Sequence, residues 1–307
     1  METNKLHNLT ITSIICAISI VFFVLGIYIP FLSLITIVGI PFATCLVDLK
    51  TDIKHVLIYV LATTLISSLI NFQEALFYVI PSLLTGVFYG VLIKNKIHGF
   101  LSILITSIFS MGLQLLSIEL INGIYSINFI EALSNFFSIE ITKVESLKFL
   151  LLFLVGLIQN ILIFFILESE LPKFNYSAIN DFSIFYPLLI ISIVTSLLGI
   201  ILNKIIPSIS YLMTGVSLLA ISNLCFYYFK AKTKWIFPSF IILIFIDFFS
   251  FIFFNDYLNN NGYYLYFNII TLSLCLIGVI LIIDKVILNK SKLDNDLFIE
   301  ENAKEEE

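Results

Sequence analysis

LTITSIICAISIVFFVLGIYI, residues 9–29, contains no charged side chain. A bilayer core takes ~20 mostly apolar residues of helix, with ~17–25 usual, so this stretch reads as one membrane crossing. No small-residue cleavage site of the A-x-A type follows it, and it is expected to be retained rather than removed as a leader. The same test along the chain gives ten candidate crossings: 9–29, 31–47, 55–70, 75–93, 100–121, 148–167, 184–202, 208–229, 235–254 and 264–283. Only Pro30 separates the first two. It lacks a backbone donor and restricts its neighbour, which suits a tight turn. The fold class is therefore all-α, a polytopic bundle of about ten transmembrane helices.

Composition agrees. Of 307 residues, 60% are hydrophobic and 12% charged, with a mean hydropathy of +1.08; soluble domains carry ~25% charge. Lysine supplies all 16 positive charges, and there is no arginine. Heavy use of Ile, Leu, Phe, Asn and Ser suggests a low-GC bacterial genome and a bacterial cell membrane.

Lysine placement orients the helices. With a cytoplasmic N-terminus, 13 of the 16 lysines fall on one side: Lys5, Lys50, Lys54, Lys94, Lys96, Lys173, Lys230, Lys232, Lys234, Lys285, Lys290, Lys292 and Lys304. Lys143, Lys148 and Lys204 fall on the other. The alternation never breaks, and an even number of crossings puts both termini inside. Trp235 near an inner loop, and Tyr257, Tyr263, Tyr264 and Tyr266 at an outer edge, fit interfacial belts.

Several chemistries find no support. Cys16, Cys45, Cys225 and Cys275 each sit alone in apolar runs, with no CxxC pair or Cys/His cluster. His7, His55 and His98 lie at cytoplasmic helix ends beside lysines. No G-x-S-x-G, H-E-x-x-H or phosphate loop occurs, so no enzyme, metal or cofactor is expected. The acidic tail at 284–307 is expected to be disordered, and no nucleic-acid partner is indicated.

The connection 122–147, NGIYSINFIEALSNFFSIEITKVESL, is longer than the others. Ile130, Leu133, Phe137, Ile141 and Val144 recur at helical spacing, which predicts an amphipathic helix. Its polar face is acidic where interfacial helices are usually basic. A lid over an outward pocket and a passive surface helix are both open readings.

The order of ITSIICAISIVFFVLGIYIPFLSLITIVGIPFA, SLLTGVFYGVLI, INFIEALSNFF and LESELPKFNYSAINDFSIFYPLLI resembles the YybS-like bacterial membrane proteins. The N-terminal part of that family is similar to the six-helix S components of energy-coupling-factor transporters. The resemblance implies an S-component-like unit at 1–170, a four-helix extension at 171–283 and the tail. It also implies that Ser13 and Ala17, the nearest equivalent of an A-x-x-x-A pattern, touch a membrane partner. The substitution of Ser13 departs from that pattern.

Polar groups within the crossings supply the candidate sites. Ser82, Gly86 and Gly90 form a small-residue stripe for close helix packing; Pro41 and Pro81 imply kinks. Thr106, Ser110, Gln114 and Ser117 share one face of the fifth crossing, with Glu119 and Asn122 at its outer end. Gln159 and Asn160 lie in the sixth. These amides either bond across the helix interface or, with Ser110, Ser117 and Glu119, line a small-molecule pocket. Asp247 stands alone in IILIFIDFFSFIFF, 241–254, with Asn223 and Asn268 as candidate partners. It reads as an interhelix clasp, with proton coupling as the alternative.

The leading expectation is solute binding or a transport-associated role in the bilayer. A structural or regulatory partner of other membrane proteins is the second reading, and a membrane-embedded enzyme the third.

Overall fold

The computed structural model describes residues 2–29, 32–126, 128–138, 140–170, 172, 184–230, 236–253, 267–280 and 282–283. The Pro30 turn, Trp235, the tyrosines at 257–266, most of the 168–182 connection and the 284–307 tail lie outside them. Among the described residues the chain is helical with no strand.

The helices are α1 (Glu2–Tyr28), α2 (Ser33–Lys50), α3 (Ile53–Ile70), α4 (Phe72–Lys94), α5 (Gly99–Tyr125), α6 (Phe129–Phe137), α7 (Ile141–Glu170), α8 (Phe185–Leu202), α9 (Pro207–Lys230), α10 (Ile236–Phe253) and α11 (Phe267–Ile280). Each of the ten expected crossings carries a helix. Seven of the described helices, α1, α3, α4, α5, α7, α8 and α9, are long and apolar enough to cross a membrane by length and composition.

The outer segment is organised differently from the expectation. α5 runs on to Tyr125, and α7 already begins at Ile141. Ser126 and Ser138 stop α5 and α6 in the left-handed region, each with φ 55°. Only Phe129–Phe137 remains as the separate amphipathic helix, capped by Asn128, whose side chain accepts from Glu131 N. The apolar period at 130–144 was continuous across two helices, and side-chain spacing alone does not mark such a break.

The chain divides into two compact units, Met1–Asp181 and Phe182–Glu307. In the first, α2 is central: it packs on α1, α3, α4 and α7. Lipid is as apolar as leucine, so helix association rests on close packing and hydrogen bonds rather than on the hydrophobic effect. The hydroxyls supply such bonds. Ser19 and Tyr59 hydroxyls meet at 2.7 Å, and Cys16 Sγ lies 3.3 Å from Thr63 Oγ1, tying α1 to α3. Around them pack Phe23, Ile40, Val47, Ala75, Val79 and Leu83.

α4 is not uniform. Ala75–Val79 forms a π-helical turn just before Pro81, and such turns concentrate at functional sites. In the second unit α8 packs on α9.

Candidate functional site

The stripe on α4 faces α2. A Cβ on Gly86 would lie 2.6 Å from Thr44 Cβ and against the Pro41 carbonyl oxygen; one on Gly90 would lie 2.5 Å from Asp48 Oδ2. Ser82 is also buried. Gly86 and Gly90 therefore let two backbones of the same unit approach closely. Ser13 and Ala17 on α1 are exposed instead, and Ser13 Oγ donates to the Leu9 carbonyl at 2.9 Å.

Beside Gly90 lies an ion pair that the sequence reading did not name. Lys94 Nζ stands 2.8 Å from Asp48 Oδ1, with the Asp48 side chain 2% exposed and that of Lys94 36%. Lysine at the end of α4 snorkels its ammonium towards water while its stem stays in apolar surroundings.

The polar stripe of α5 meets α7. Gln159 Nε2 donates to the Ile37 carbonyl of α2 at 3.0 Å, and Ser110 Oγ donates to Gln159 Oε1 at 3.4 Å. Gln114 Nε2 donates to Ser110 Oγ at 3.4 Å. Asn160 Nδ2 donates to Ser107 Oγ at 3.2 Å and to the Gly156 carbonyl at 2.8 Å. Gly156 allows this approach, since a Cβ there would lie 3.2 Å from the Ser107 carbonyl. Thr106 and Ser117 are buried on the same helix. Glu119 is exposed, while Asn122 Oδ1 accepts from Phe129 N at 3.3 Å. Gln159 and Asn160 thus bond across helix interfaces, Gln114 bonds Ser110 of its own helix, and Glu119 is exposed.

A cavity of ≈210 Å³ lies elsewhere in the first unit. It is lined by Phe23, Gly26 and Ile27 near the end of α1, Ser33 and Thr36 near the start of α2, and Glu74 and Tyr78 near the start of α4. Thr36 Oγ1 donates to the Phe22 carbonyl at 2.8 Å, and Gly26 lets α2 approach at that point because a Cβ there would strike Thr36 Oγ1. Glu74 directly precedes the π turn and Tyr78 lies within it. The next ring on α4, Phe77, lies 5.8 Å from Phe129 of α6, so the amphipathic helix contacts α4 one residue from the cavity wall. In sequence Glu74 is one of several scattered outer acids. Its significance depends on which helix ends converge, and spacing within one helix does not report that.

In the second unit Asp247 is buried, and Oδ2 accepts from Ser273 Oγ of α11 at 2.7 Å. Asn268, proposed as its partner, donates to Thr214 Oγ1 at 2.7 Å, and its amide lies against Gly199, where a Cβ would come within 2.8 Å of Oδ1. Asn223 is half-buried on α9. Asn268 belongs to a wider hydroxyl seam: Ser210 Oγ donates to the Gly199 carbonyl at 2.6 Å, Ser192 Oγ to the Ser217 carbonyl at 3.3 Å, and Ser196 bonds Thr271. One hydroxyl, Ser273, was invisible as a partner because serines usually satisfy themselves on the preceding turn; this one bonds both Asp247 and the Ile270 carbonyl.

Residues 17–148 match a family model described as Predicted membrane protein (DUF2232). No curated protein and no solved structure matches the chain. The chain is thus a multi-pass helical membrane protein with a stretch similar to that family. The matched stretch contains every residue that lines the cavity, and neither Gln159 nor any part of the second unit.

Proposed function

We propose that this protein binds a small solute in the bilayer, broadly in the manner of the S components that its N-terminal part resembles, and that the α1–α2–α4 cavity is the site. The supporting observation is the lining itself: a carboxylate, a phenol and two hydroxyl-bearing residues around ≈210 Å³ with aromatic walls. The lysine asymmetry puts these helix ends on the side away from the cytoplasm, so solute enters from outside. We assign binding rather than catalysis. We site the solute at α1, α2 and α4 rather than at α5 and α7, since Gln159 and Asn160 bond across helix interfaces.

Size bears on the solute. Drug- and cofactor-sized ligands occupy pockets of ~300–1,000 Å³, so this cavity suits something smaller.

Native mass spectrometry of gently purified protein tests the reading, with the cavity-filling Ser33→Phe variant beside wild type. The expected result is a small-molecule adduct, co-purified or formed at millimolar solute, that the variant loses. An adduct of equal abundance in both proteins contradicts the assignment.

A second reading has one observation behind it. Ser13 and Ala17 leave a shallow, exposed strip on α1, which suits close contact with another membrane helix. A partner there is compatible with solute binding, and cysteine cross-linking from position 13 would report it.

A further inference from the structure

Resting on the solute-binding reading above, the way Glu74 is held points to the charge of the solute. Glu74 is the third residue of α4, and its own N–H donates to Asn71 Oδ1 at 3.1 Å. In a capping box the glutamate would reach back to the N–H of the capping residue. Here the Asn71 N–H is already given to the Ser67 carbonyl at 2.9 Å, because Asn71 ends α3 as it starts α4. Capping therefore does not occupy the carboxylate.

No described cation serves it either. Lys94 pairs with Asp48 and Lys143 with Glu140. Lys148, on the same side of the chain as Glu74 by the lysine pattern, lies over the Phe149 ring, 5.5 Å from its centroid. A partly buried carboxylate at a membrane edge is costly without a compensating charge or donor.

Its surroundings suit one kind of cation. Phe23 and Tyr78 line the same cavity, and aromatic faces attract ammonium groups. A hard metal ion would seek about six to eight oxygen ligands, whereas no group of three or more His, Cys, Asp or Glu side chains gathers among the described residues. A volume of ≈210 Å³ corresponds to about seven waters of liquid. That leaves room for a head group and a short apolar chain.

We propose that the cavity takes a small organic ammonium ion, its charged head on Glu74 and its apolar part against Phe23 and Tyr78. The phenol of Tyr78 is a further polar group in the lining. A carboxylate solute is repelled, and a neutral isostere loses the ion pair while keeping the apolar contacts.

Calorimetric titration of the full chain in lipid nanodiscs tests this, with empty nanodiscs as the blank. The probes are n-butylammonium, n-butanol and butyrate, with sodium chloride titrated as the inorganic cation. The expected result is saturable binding of n-butylammonium at least about tenfold tighter than n-butanol, a gap of about 1.4 kcal/mol. Butyrate and sodium leave no saturable heat. Glu74→Gln removes that preference and leaves n-butanol binding intact; Tyr78→Phe keeps the preference for charge. If n-butanol or butyrate binds wild type as tightly as n-butylammonium, or sodium competes for the site, the ammonium assignment falls while solute binding stands. The assignment also falls if Glu74→Gln still discriminates. If no probe binds wild type, both readings fall.

Discussion

Gln159 of α7 donates to the carbonyl of Ile37 in α2 at 3.0 Å, four residues before Pro41. In a regular helix the N–H of residue 41 would serve that carbonyl, and proline has none. In lipid an unserved carbonyl has no water to turn to. The side chain of one helix thus completes the backbone of another, and the bond locks α7 to the centre of the first unit.

This gives a coupled prediction. Gln159→Leu should destabilise the protein by about 1–3 kcal/mol, the usual cost of a buried group left without its partner. Pro41→Ala restores an N–H for Ile37 and should reduce the effect of Gln159→Leu by about 1 kcal/mol in a double-mutant cycle. Denaturant unfolding in bicelles measures both; additive effects would show that Gln159 does not serve that carbonyl.

Two glycines should respond in opposite directions. Gly86→Ala drives a Cβ into α2, 2.6 Å from Thr44 Cβ, and should cost about 1–3 kcal/mol as overpacking against backbone. Gly112→Ala meets nothing within 4 Å and should gain up to about 1 kcal/mol from helix propensity. Thermal unfolding of both variants beside wild type is the measurement.

The Asp48–Lys94 pair should be asymmetric. Lys94→Met leaves a carboxylate that is 2% exposed without its cation, at a cost of about 1–3 kcal/mol, discounted because the lysine side is partly solvated. Adding Asp48→Asn to Lys94→Met should recover most of that loss. An uncoupled double mutant would show that water, not Lys94, stabilises Asp48.

Asp247 should behave as a clasp. Asp247→Asn keeps an oxygen to accept from Ser273, so its cost should stay near the ~0.6 kcal/mol average for interhelical bonds in membranes. Asp247→Leu should cost more, by leaving Ser273 without that acceptor. A pH-dependent solute flux that disappears in Asp247→Asn while folding persists would instead favour proton coupling.

The helices were legible because each apolar run is long and lysines punctuate the runs. α6 was legible from its period, although its ends were not: left-handed Ser126 and Ser138 carry no compositional mark. Gln159 was legible as an amide needing a partner. The identity of that partner required Pro41 to be read as a missing donor as well as a kink. Asp48 escaped notice because it lies near the end of an apolar run, where acids are ordinary. The cavity was least legible of all. It is built from the ends of three helices, and no periodicity within any one of them encodes the convergence of Gly26, Thr36 and Glu74.

The most direct test of the central claim is accessibility at Ser33 in the cavity wall. Cells expressing Ser33→Cys would be treated with a membrane-impermeant methanethiosulfonate; three native cysteines, Cys16, Cys45 and Cys275, are buried and Cys225 is only partly exposed, so wild type supplies the background. The account predicts labelling from outside that slows when n-butylammonium is present. Labelling only after the cells are opened, or at a rate no solute changes, would contradict an outward-facing solute site between α1, α2 and α4.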